Sequence, residues 1–177
     1  MRKLVESTFV TLDGVIGSPE VWGAKYWNQE HADYAMALLS AADALLLGRR
    51  TYDGFAASWP LRSGDPYTDK INAMPKHIAS RTLVRPIWNS SVIDGDLATQ
   101  VAKLKGRDGG HILKFGTGEV DRALMADKLV DEFHFWLFPT YAGRGTRLFD
   151  GWDAGQLELL STEVFSTGIV VLVYAPS

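Results

Sequence analysis

The stretch Leu45-Leu46-Leu47-Gly48-Arg49-Arg50-Thr51-Tyr52 decides the fold of this chain, because an apolar run stops at a glycine and a helix start follows it. The apolar residues 44–47 predict a short buried strand. Thr51 is placed to cap a short helix that ends near Ala57. A strand that turns directly into a helix is typical of α/β proteins, in which ligands bind beyond the carboxyl ends of the strands.

Two further stretches have the same form, a strand followed by a small residue and then by a helix start or a basic residue. They are Ile78-Ala79-Ser80-Arg81-Thr82 and Leu113-Lys114-Phe115-Gly116-Thr117-Gly118-Glu119-Val120. Glycine lets the main chain approach a ligand closely, free amides at a helix start face anions, and arginine can form paired bonds with a phosphate. Each stretch alone is also typical of an ordinary turn, and Gly116-x-Gly118 lacks the third glycine of a dinucleotide fingerprint. The three together predict a ligand that carries phosphate.

The rest of the chain continues the alternation of strands and helices up to about residue 139, and two strands then close it. Further strands are predicted over 3–12, 77–80, 87–93, 111–115, 132–139, 157–165 and 169–174, and helices over 26–40, 97–104 and 120–129. Such alternation predicts a mostly parallel sheet with helices on both faces, and the closing hairpin must add an antiparallel strand. We therefore expect a single α/β domain over residues 1–177, a three-layer fold with a sheet of about eight strands.

Composition excludes several classes of function. Of the 177 residues, 46% are hydrophobic and 22% are charged, and the net charge of −3 argues against a non-specific binder of nucleic acids or anionic membranes. The chain has no cysteine, which excludes disulfides, thiol catalysis, iron–sulfur clusters and cysteine-ligated zinc. The four histidines show no metal-ligand spacing, so we expect no metal site. The longest uncharged run, 164–177, is too short for a membrane helix, and we expect a cytoplasmic protein.

Seven short motifs follow one another along nearly the whole chain. They are Thr11-Leu12-Asp13-Gly14-Val15-Ile16-Gly17, Leu47-Gly48-Arg49-Arg50-Thr51-Tyr52, Ser80-Arg81-Thr82-Leu83, Gly116-Thr117-Gly118, Leu129-Val130-Asp131-Glu132, Pro139, and Gly143-x-Gly145 followed by Leu148-Phe149. In order and spacing this set resembles the dihydrofolate-reductase-like superfamily, and within it the bacterial branch allied to the riboflavin-biosynthesis (pyrimidine) reductase domain. The resemblance implies the cofactor NADPH, from which hydride is delivered across a cleft in the sheet.

The resemblance also implies which residues bind the cofactor. By position, the phosphates and the adenosine ribose would be held by Gly48, Arg49 and Thr51, the adenosine end by Ser80, Arg81 and Thr82, the pyrophosphate by Gly116, Thr117, Gly118, Glu119 and Val120, and the nicotinamide by Ile16 and Gly17. NADPH is expected rather than NADH because each of the first two stretches offers an arginine and neither contains an acidic residue for a free 2′-hydroxyl. The alternative is that these are surface arginines held by neighbouring carboxylates.

The catalytic residue is the least determined part of the site. Dihydrofolate reductases place a carboxylate early in the second element, where it helps to protonate the substrate. In this chain the candidates are Glu30 and Asp33, and the alternative for Asp33 is a solvated helix carboxylate. Ser7 stands where the riboflavin reductases usually carry a lysine, which disfavours a phosphoribosyl-pyrimidine substrate.

We thus expect an NADPH-dependent reductase of a small pterin- or pyrimidine-like heterocycle. Two alternatives stay open, a nucleotide-binding module without turnover and a true dihydrofolate reductase. The resemblance also implies a homodimer, for which the exposed edge of the closing hairpin offers a surface. The aromatic residues Trp22, Tyr26 and Trp27, in the loop after the first strand, either form a lid over a flat ring or pack as an ordinary loop.

Overall fold

The computed structural model describes residues 2–177 and contains a sheet of eight strands. The strands are β1 (Leu4–Thr11), β2 (Ala42–Gly48), β3 (Lys76–Ala79), β4 (Ser90–Val92), β5 (His111–Phe115), β6 (Glu132–Phe138), β7 (Leu157–Val164) and β8 (Val170–Pro176). Their order across the sheet is β4-β3-β2-β5-β1-β6-β8-β7. Neighbouring strands from β4 to β6 are parallel, and β8 is antiparallel to both β6 and β7. The prediction of a mostly parallel sheet with an antiparallel C-terminal strand is confirmed.

Helices cover both faces of this sheet, as predicted. They are α1 (Pro19–Trp22), α2 (Gln29–Ala41), α3 (Arg49–Ser58), α4 (Pro66–Ala73), α5 (Leu97–Lys105) and α6 (Glu119–Ala126), with 3-10 turns at Ala24–Tyr26 and Trp59–Leu61. Side chains alternate between the two faces along each strand. Val5 and Leu113 therefore lie in the core under α2, α3 and α4, whereas Leu4 and Ile112 lie in the core under α5 and α6.

Two helix starts differ from the predicted ones, and in both a polar side chain caps the first turn. The predicted helix over 26–40 begins only at Gln29, because the Asn28 side chain accepts the amide of His31 at 3.0 Å. Helix α4 was not predicted at all. It begins where the Asp65 carboxylate accepts the amide of Thr68 at 2.9 Å. These caps satisfy amides that have no partner inside the helix.

The strand predicted over 87–93 was too long. Trp88 and Asn89 have φ angles of 65° and 47°, in the left-handed region, and the strand β4 forms only after them. The indole of Trp88 turns instead towards α4 and donates to Asn72 Oδ1 at 2.7 Å. A side-chain contact between distant residues thus decides the backbone here, which the local pattern of apolar residues does not show.

Candidate functional site at the carboxyl edge of the sheet

The three predicted ligand-binding turns meet at one edge of the sheet. They follow β2, β3 and β5, which are neighbours and parallel, so their carboxyl ends lie at the same edge. Side chains join the turns directly. Arg49 Nη1 donates to Thr82 Oγ1 at 3.1 Å, and Thr51 Oγ1 donates to the carbonyl of Phe115 at 3.3 Å. The structure therefore brings together the residues that the sequence singled out on separate strands.

Thr51 does not cap helix α3, and that prediction was wrong. The helix begins at Arg49, and Gly48 is its N-cap residue. Thr51 lies in the first turn, where its hydroxyl group contacts the end of β5 instead. A Cβ on Gly48 would lie 3.5 Å from Val120 Cγ2, so the starts of α3 and α6 are close neighbours.

The turn Gly116–Gly118 presents main-chain amides at the start of α6. Gly116 has a φ of +78°, a conformation that favours glycine. Within residues 2–177, no acceptor is found for the amides of Thr117, Glu119 and Val120. Gly118 differs, because its amide donates to Asp121 Oδ2 at 2.8 Å. Free amides at a helix start carry partial positive charge and form a suitable site for a phosphate group.

Positive charge is also available beside these amides. The side chain of Arg49 is 41% exposed, and its Nε donates to both carboxylate oxygens of Asp53, at 2.8 and 2.9 Å. Arg81 is exposed and has no carboxylate partner among the residues that the structure describes. The hydroxyl group of Ser80 is already engaged, since it accepts the amides of Thr82 and Leu83 at 3.3 and 3.1 Å. These two bonds shape the turn that carries Arg81.

A cluster of buried ionisable groups lies directly behind the glycine turn, and sequence reasoning missed it. Lys114 Nζ lies 3.1 Å from Glu6 Oε2 and 2.7 Å from Asp121 Oδ2. Burial, and after it the negative charge of Asp121, raises the pKa of Glu6 to about 8. Burial alone would lower the pKa of Lys114, but the two carboxyl groups outweigh burial and raise it. The sequence did contain a signal for this cluster, because Glu6 and Lys114 are charged residues inside strands that are otherwise mostly uncharged.

The loop after β1 is tied to the loop after β6. Ile16 donates its amide to the carbonyl of Thr146 at 2.9 Å, and the carbonyl of Gly17 accepts the indole of Trp22 at 2.9 Å. The Asp13 carboxylate accepts the hydroxyl group of Thr11 at 2.5 Å and main-chain amides of the loop after β6. These bonds lower the pKa of Asp13 to about 2. Asp13 is therefore an anchor for the loop that carries Ile16 and Gly17.

The two candidate catalytic carboxylates do not reach the three turns. Glu30 accepts both the amide (2.8 Å) and the hydroxyl group of Ser166, which fastens the start of α2 to the turn between β7 and β8. Asp33 is exposed and accepts Gln29 Nε2 at 2.7 Å. The residue of α2 that faces the sheet in this turn is His31. The structure thus gives Glu30 an anchoring contact and leaves Asp33 in solvent.

His31 packs among aromatic rings. Its ring centroid is 4.9 Å from that of Trp136 and 5.5 Å from that of Phe9, and it stacks under Trp27 at 5.4 Å. Its Nε2 is buried without a hydrogen-bond partner among residues 2–177, and burial lowers the pKa of His31 to about 4. His31 is therefore a neutral imidazole at pH 7.

Of the three aromatic residues proposed as a lid, two are anchored. Trp22 and Tyr26 both pack edge-on against Phe138, and Tyr26 Oη donates to the carbonyl of Pro139 at 3.1 Å. Trp27 is 51% exposed and covers His31. Of the three, Trp27 is thus the exposed one, whereas Trp22 and Tyr26 pack as an ordinary loop does.

A metal cluster and a membrane-crossing helix are both absent from residues 2–177. No group of three or more histidine, aspartate or glutamate side chains there is arranged to hold a metal ion. No helix in that range has the length and apolar character needed to cross a membrane. A cavity of about 310 Å³ lies between α2 and the amino ends of β1, β5 and β6, where Tyr34 Oη lies 2.7 Å from His134 Nδ1. This cavity is at the opposite end of the strands from the three turns.

Comparison with known proteins identifies relatives of the whole chain. A family model described as the RibD C-terminal domain matches residues 2–171. The chain is 30% identical over 181 residues to the uncharacterized protein YyaP of Bacillus subtilis (strain 168), covering 98% of this chain and 94% of that protein.

Solved structures share the fold. A protein from Shewanella sp. PV-4, whose name assigns it provisionally to riboflavin biosynthesis, matches with a TM-score of 0.79 and 21% identity over 99% of both chains. The diaminohydroxyphosphoribosylaminopyrimidine deaminase/5-amino-6-(5-phosphoribosylamino)uracil reductase of Thermotoga maritima matches with a TM-score of 0.68 and 15% identity, over 99% of this chain and 57% of that one.

Proposed function

Because this chain belongs to the RibD C-terminal domain family, as its motifs predicted, we propose that it is an NADPH-dependent reductase of a small pterin- or pyrimidine-like heterocycle. Family membership relates the chain to the reductases of riboflavin biosynthesis. The cofactor and the substrate are our proposal. When bound, NADPH supplies the hydride, and the protein binds and orients the reactants and excludes water.

One observation carries the proposal. Three turns converge at one edge of the sheet, where unpaired amides at the start of α6 lie near two arginines. The amides of Thr117, Glu119 and Val120 fit a pyrophosphate, since they lie at or next to the start of α6 and have no acceptor within residues 2–177. Gly118 leaves room for it, because a Cβ built there would meet no atom within 4 Å. Arg49 and Arg81 supply the positive charge that a ribose 2′-phosphate requires.

The remaining cofactor contacts follow from the neighbours of these groups. Gly48 lies against the start of α6, Thr51 contacts the end of β5, and Ser80 and Thr82 form the turn of Arg81, so we propose that these residues border the adenosine half. Gly116 admits the main chain to the pyrophosphate. Ile16 and Gly17, in the loop after β1, contact the nicotinamide.

The proton that accompanies hydride transfer needs a donor near the substrate. Asp33 stays the predicted donor, since its carboxylate is exposed and bonded only to Gln29 of its own helix, whereas Glu30 is held by Ser166. The neutral ring of His31, under its cover Trp27, packs against Phe9 and Trp136 of the sheet. We propose that a flat substrate ring packs against this aromatic group when Trp27 moves.

Binding and turnover separate the proposed function from its alternatives. Titration with NADPH and NADH should show tighter binding of NADPH, and NADPH oxidation should be seen with at least one member of a panel of pterins, pyrimidines and dihydrofolate. Binding without oxidation on the whole panel would favour the nucleotide-binding module, which the solvent-facing position of Asp33 also favours. Turnover of dihydrofolate alone would identify a dihydrofolate reductase. No binding of either nucleotide would refute the proposal.

We also propose that the protein is a homodimer that pairs through β7. This strand lies at the edge of the sheet and exposes Leu159, Leu160 and Val164 by 50%, 48% and 68%. An edge strand with exposed apolar residues is a common pairing surface. A monomeric mass in light scattering would contradict this proposal without touching the proposed chemistry.

A further inference from the structure

The turn Gly116–Gly118 is held from behind by the buried cluster of Glu6, Lys114 and Asp121. The side chains of these three residues are at most 2% exposed. Glu6 and Lys114 are register partners on β1 and β5, and Asp121 reaches them from the first turn of α6. Two carboxyl groups thus share one ammonium group. With both carboxylates ionised, the cluster would carry a buried charge of −1 directly behind the turn.

The cluster bonds to every residue of the turn. Lys114 Nζ donates to the carbonyl of Gly116, the Thr117 hydroxyl group donates to Glu6 Oε1 at 3.3 Å, and Gly118 donates its amide to Asp121 Oδ2 at 2.8 Å. These bonds fix the orientation of the turn from its inner side. Among residues 2–177, the amide of Thr117 in the turn and those of Glu119 and Val120 just after it have no acceptor.

One atom of the cluster indicates where a proton belongs. Asp121 Oδ2 accepts from both Lys114 and Gly118, but Asp121 Oδ1 is buried and receives no donor from residues 2–177. A buried acceptor without a donor costs free energy. Glu6 Oε2 and Asp121 Oδ2 lie 3.1 and 2.7 Å from the same ammonium nitrogen, so the two carboxyl groups are close neighbours, and a proton held between them would reduce this cost. The raised pKa of Glu6 agrees with this arrangement.

We propose that Glu6 and Asp121 are positioning residues of the phosphate-binding turn, and that they share one proton which keeps the cluster neutral when a pyrophosphate binds. This rests on the proposed function, because it takes the turn as the pyrophosphate site. A buried net negative charge behind the turn would repel the ligand strongly, since little water screens it. The charged groups that face Glu6 are Lys114 on β5 and Asp121 on α6, and the hydroxyl groups of Thr8 and Thr117 complete its surroundings.

The proposal predicts how NADPH affinity changes with pH. The protonated cluster binds the pyrophosphate more tightly, so affinity is highest below the pKa of Glu6 and falls as pH rises through it. We expect the Kd of the natural protein to increase about three- to tenfold between roughly pH 7 and pH 9.5. The 2′-phosphate of NADPH does not interfere, because its second pKa is near 6.

Glu6→Gln keeps the size and the donor of the protonated side chain but cannot lose a proton. This variant should bind NADPH at pH 7 within about threefold of the natural protein and show an almost flat pH profile. Asp127→Asn, at the exposed C-terminal end of α6, removes the same charge outside the cluster and should keep the natural profile.

A second readout needs no cofactor. Infrared spectra of the ligand-free protein at pH 7 should contain the band of a buried protonated carboxyl group. Both Glu6→Gln and Asp121→Asn should remove it, the latter because Glu6 then ionises against Lys114. NADPH binding without this band, or an unchanged pH profile in Glu6→Gln, overturns the inference and leaves the proposed function standing. The band without NADPH binding at any pH overturns the proposed function and the role in binding together. If Glu6→Gln does not fold, the natural pH profile and the spectrum of Asp121→Asn decide.

Discussion

Replacing Arg49 or Arg81 by alanine should weaken NADPH binding and leave NADH binding almost unchanged. A charge-assisted bond to phosphate contributes about 1.5–3 kcal/mol when it is shielded from water. The side chain of Arg49 is 41% exposed and its guanidinium group is already bonded to Asp53, so part of this contribution replaces an existing bond and part is screened. We expect a loss of about 1 kcal/mol for Arg49→Ala, which is roughly a fivefold increase in Kd. Arg81 gives up no ion pair on binding, so Arg81→Ala should cost roughly five- to tenfold.

The measurement is a titration of each variant with NADPH and with NADH, at low and at high salt. Arg107→Ala serves as the matched control, because Arg107 is exposed between α5 and β5, at the amino edge of the sheet. Asp53→Asn tests whether the existing bond between Arg49 and Asp53 reduces the contribution of Arg49 to NADPH binding. It frees Arg49 and should tighten NADPH severalfold, and this gain should shrink at high salt.

The reasoning fails if the natural protein binds NADH and NADPH equally. It also fails if Arg49→Ala and Arg81→Ala change the affinities for the two nucleotides by the same factor. In that case both arginines are surface residues, Arg49 held by Asp53, and the adenosine half lies elsewhere.

Three further predictions concern the turn, the buried cluster and the proton donor. Gly118→Val should keep the fold, because a Cβ there meets no atom within 4 Å, and should abolish NADPH binding. Circular dichroism checks the fold and titration checks the binding. Normal NADPH affinity in the folded variant would mean that the turn has only a structural role. Between pH 4.5 and about 8 the folded protein holds one more proton on Glu6 than the unfolded chain does, so this group lowers the free energy of unfolding as pH rises, by at most about 1.4 kcal/mol per pH unit. Urea denaturation at several pH values should show that Glu6→Gln gains stability relative to the natural protein as pH rises across this range. If the free energy of unfolding has the same pH dependence in both proteins, this prediction is contradicted. Asp33→Asn should lower kcat by about 10²-fold with little effect on NADPH affinity, as expected for a lost general acid, and an unchanged kcat would point to His31 or water.

Some features were predictable because their causes are local. Runs of apolar residues that end at Gly48 and Gly116 indicated strands that turn into helices, and the parallel sheet followed from their alternation. The same reasoning missed α4, although Asp65 and Pro66 are typical helix-start residues, because the stretch lacks a strong apolar period. It overextended β4, because contacts between Trp88 and α4 decide that backbone.

The sequence by itself thus determined the class of fold, the family and the positions of the three turns that we propose as a phosphate-binding site, since strand length, glycine positions and motif order are properties of neighbouring residues. Only the tertiary structure decided which groups meet. Lys114 and Glu6 are 108 residues apart and pair only because β5 lies beside β1. The rotation of α2 about its axis, set by packing on the sheet, turns His31 inward and leaves Glu30 and Asp33 outside. Burial and helix rotation arise from long-range packing, and no stretch of the chain contains that information by itself.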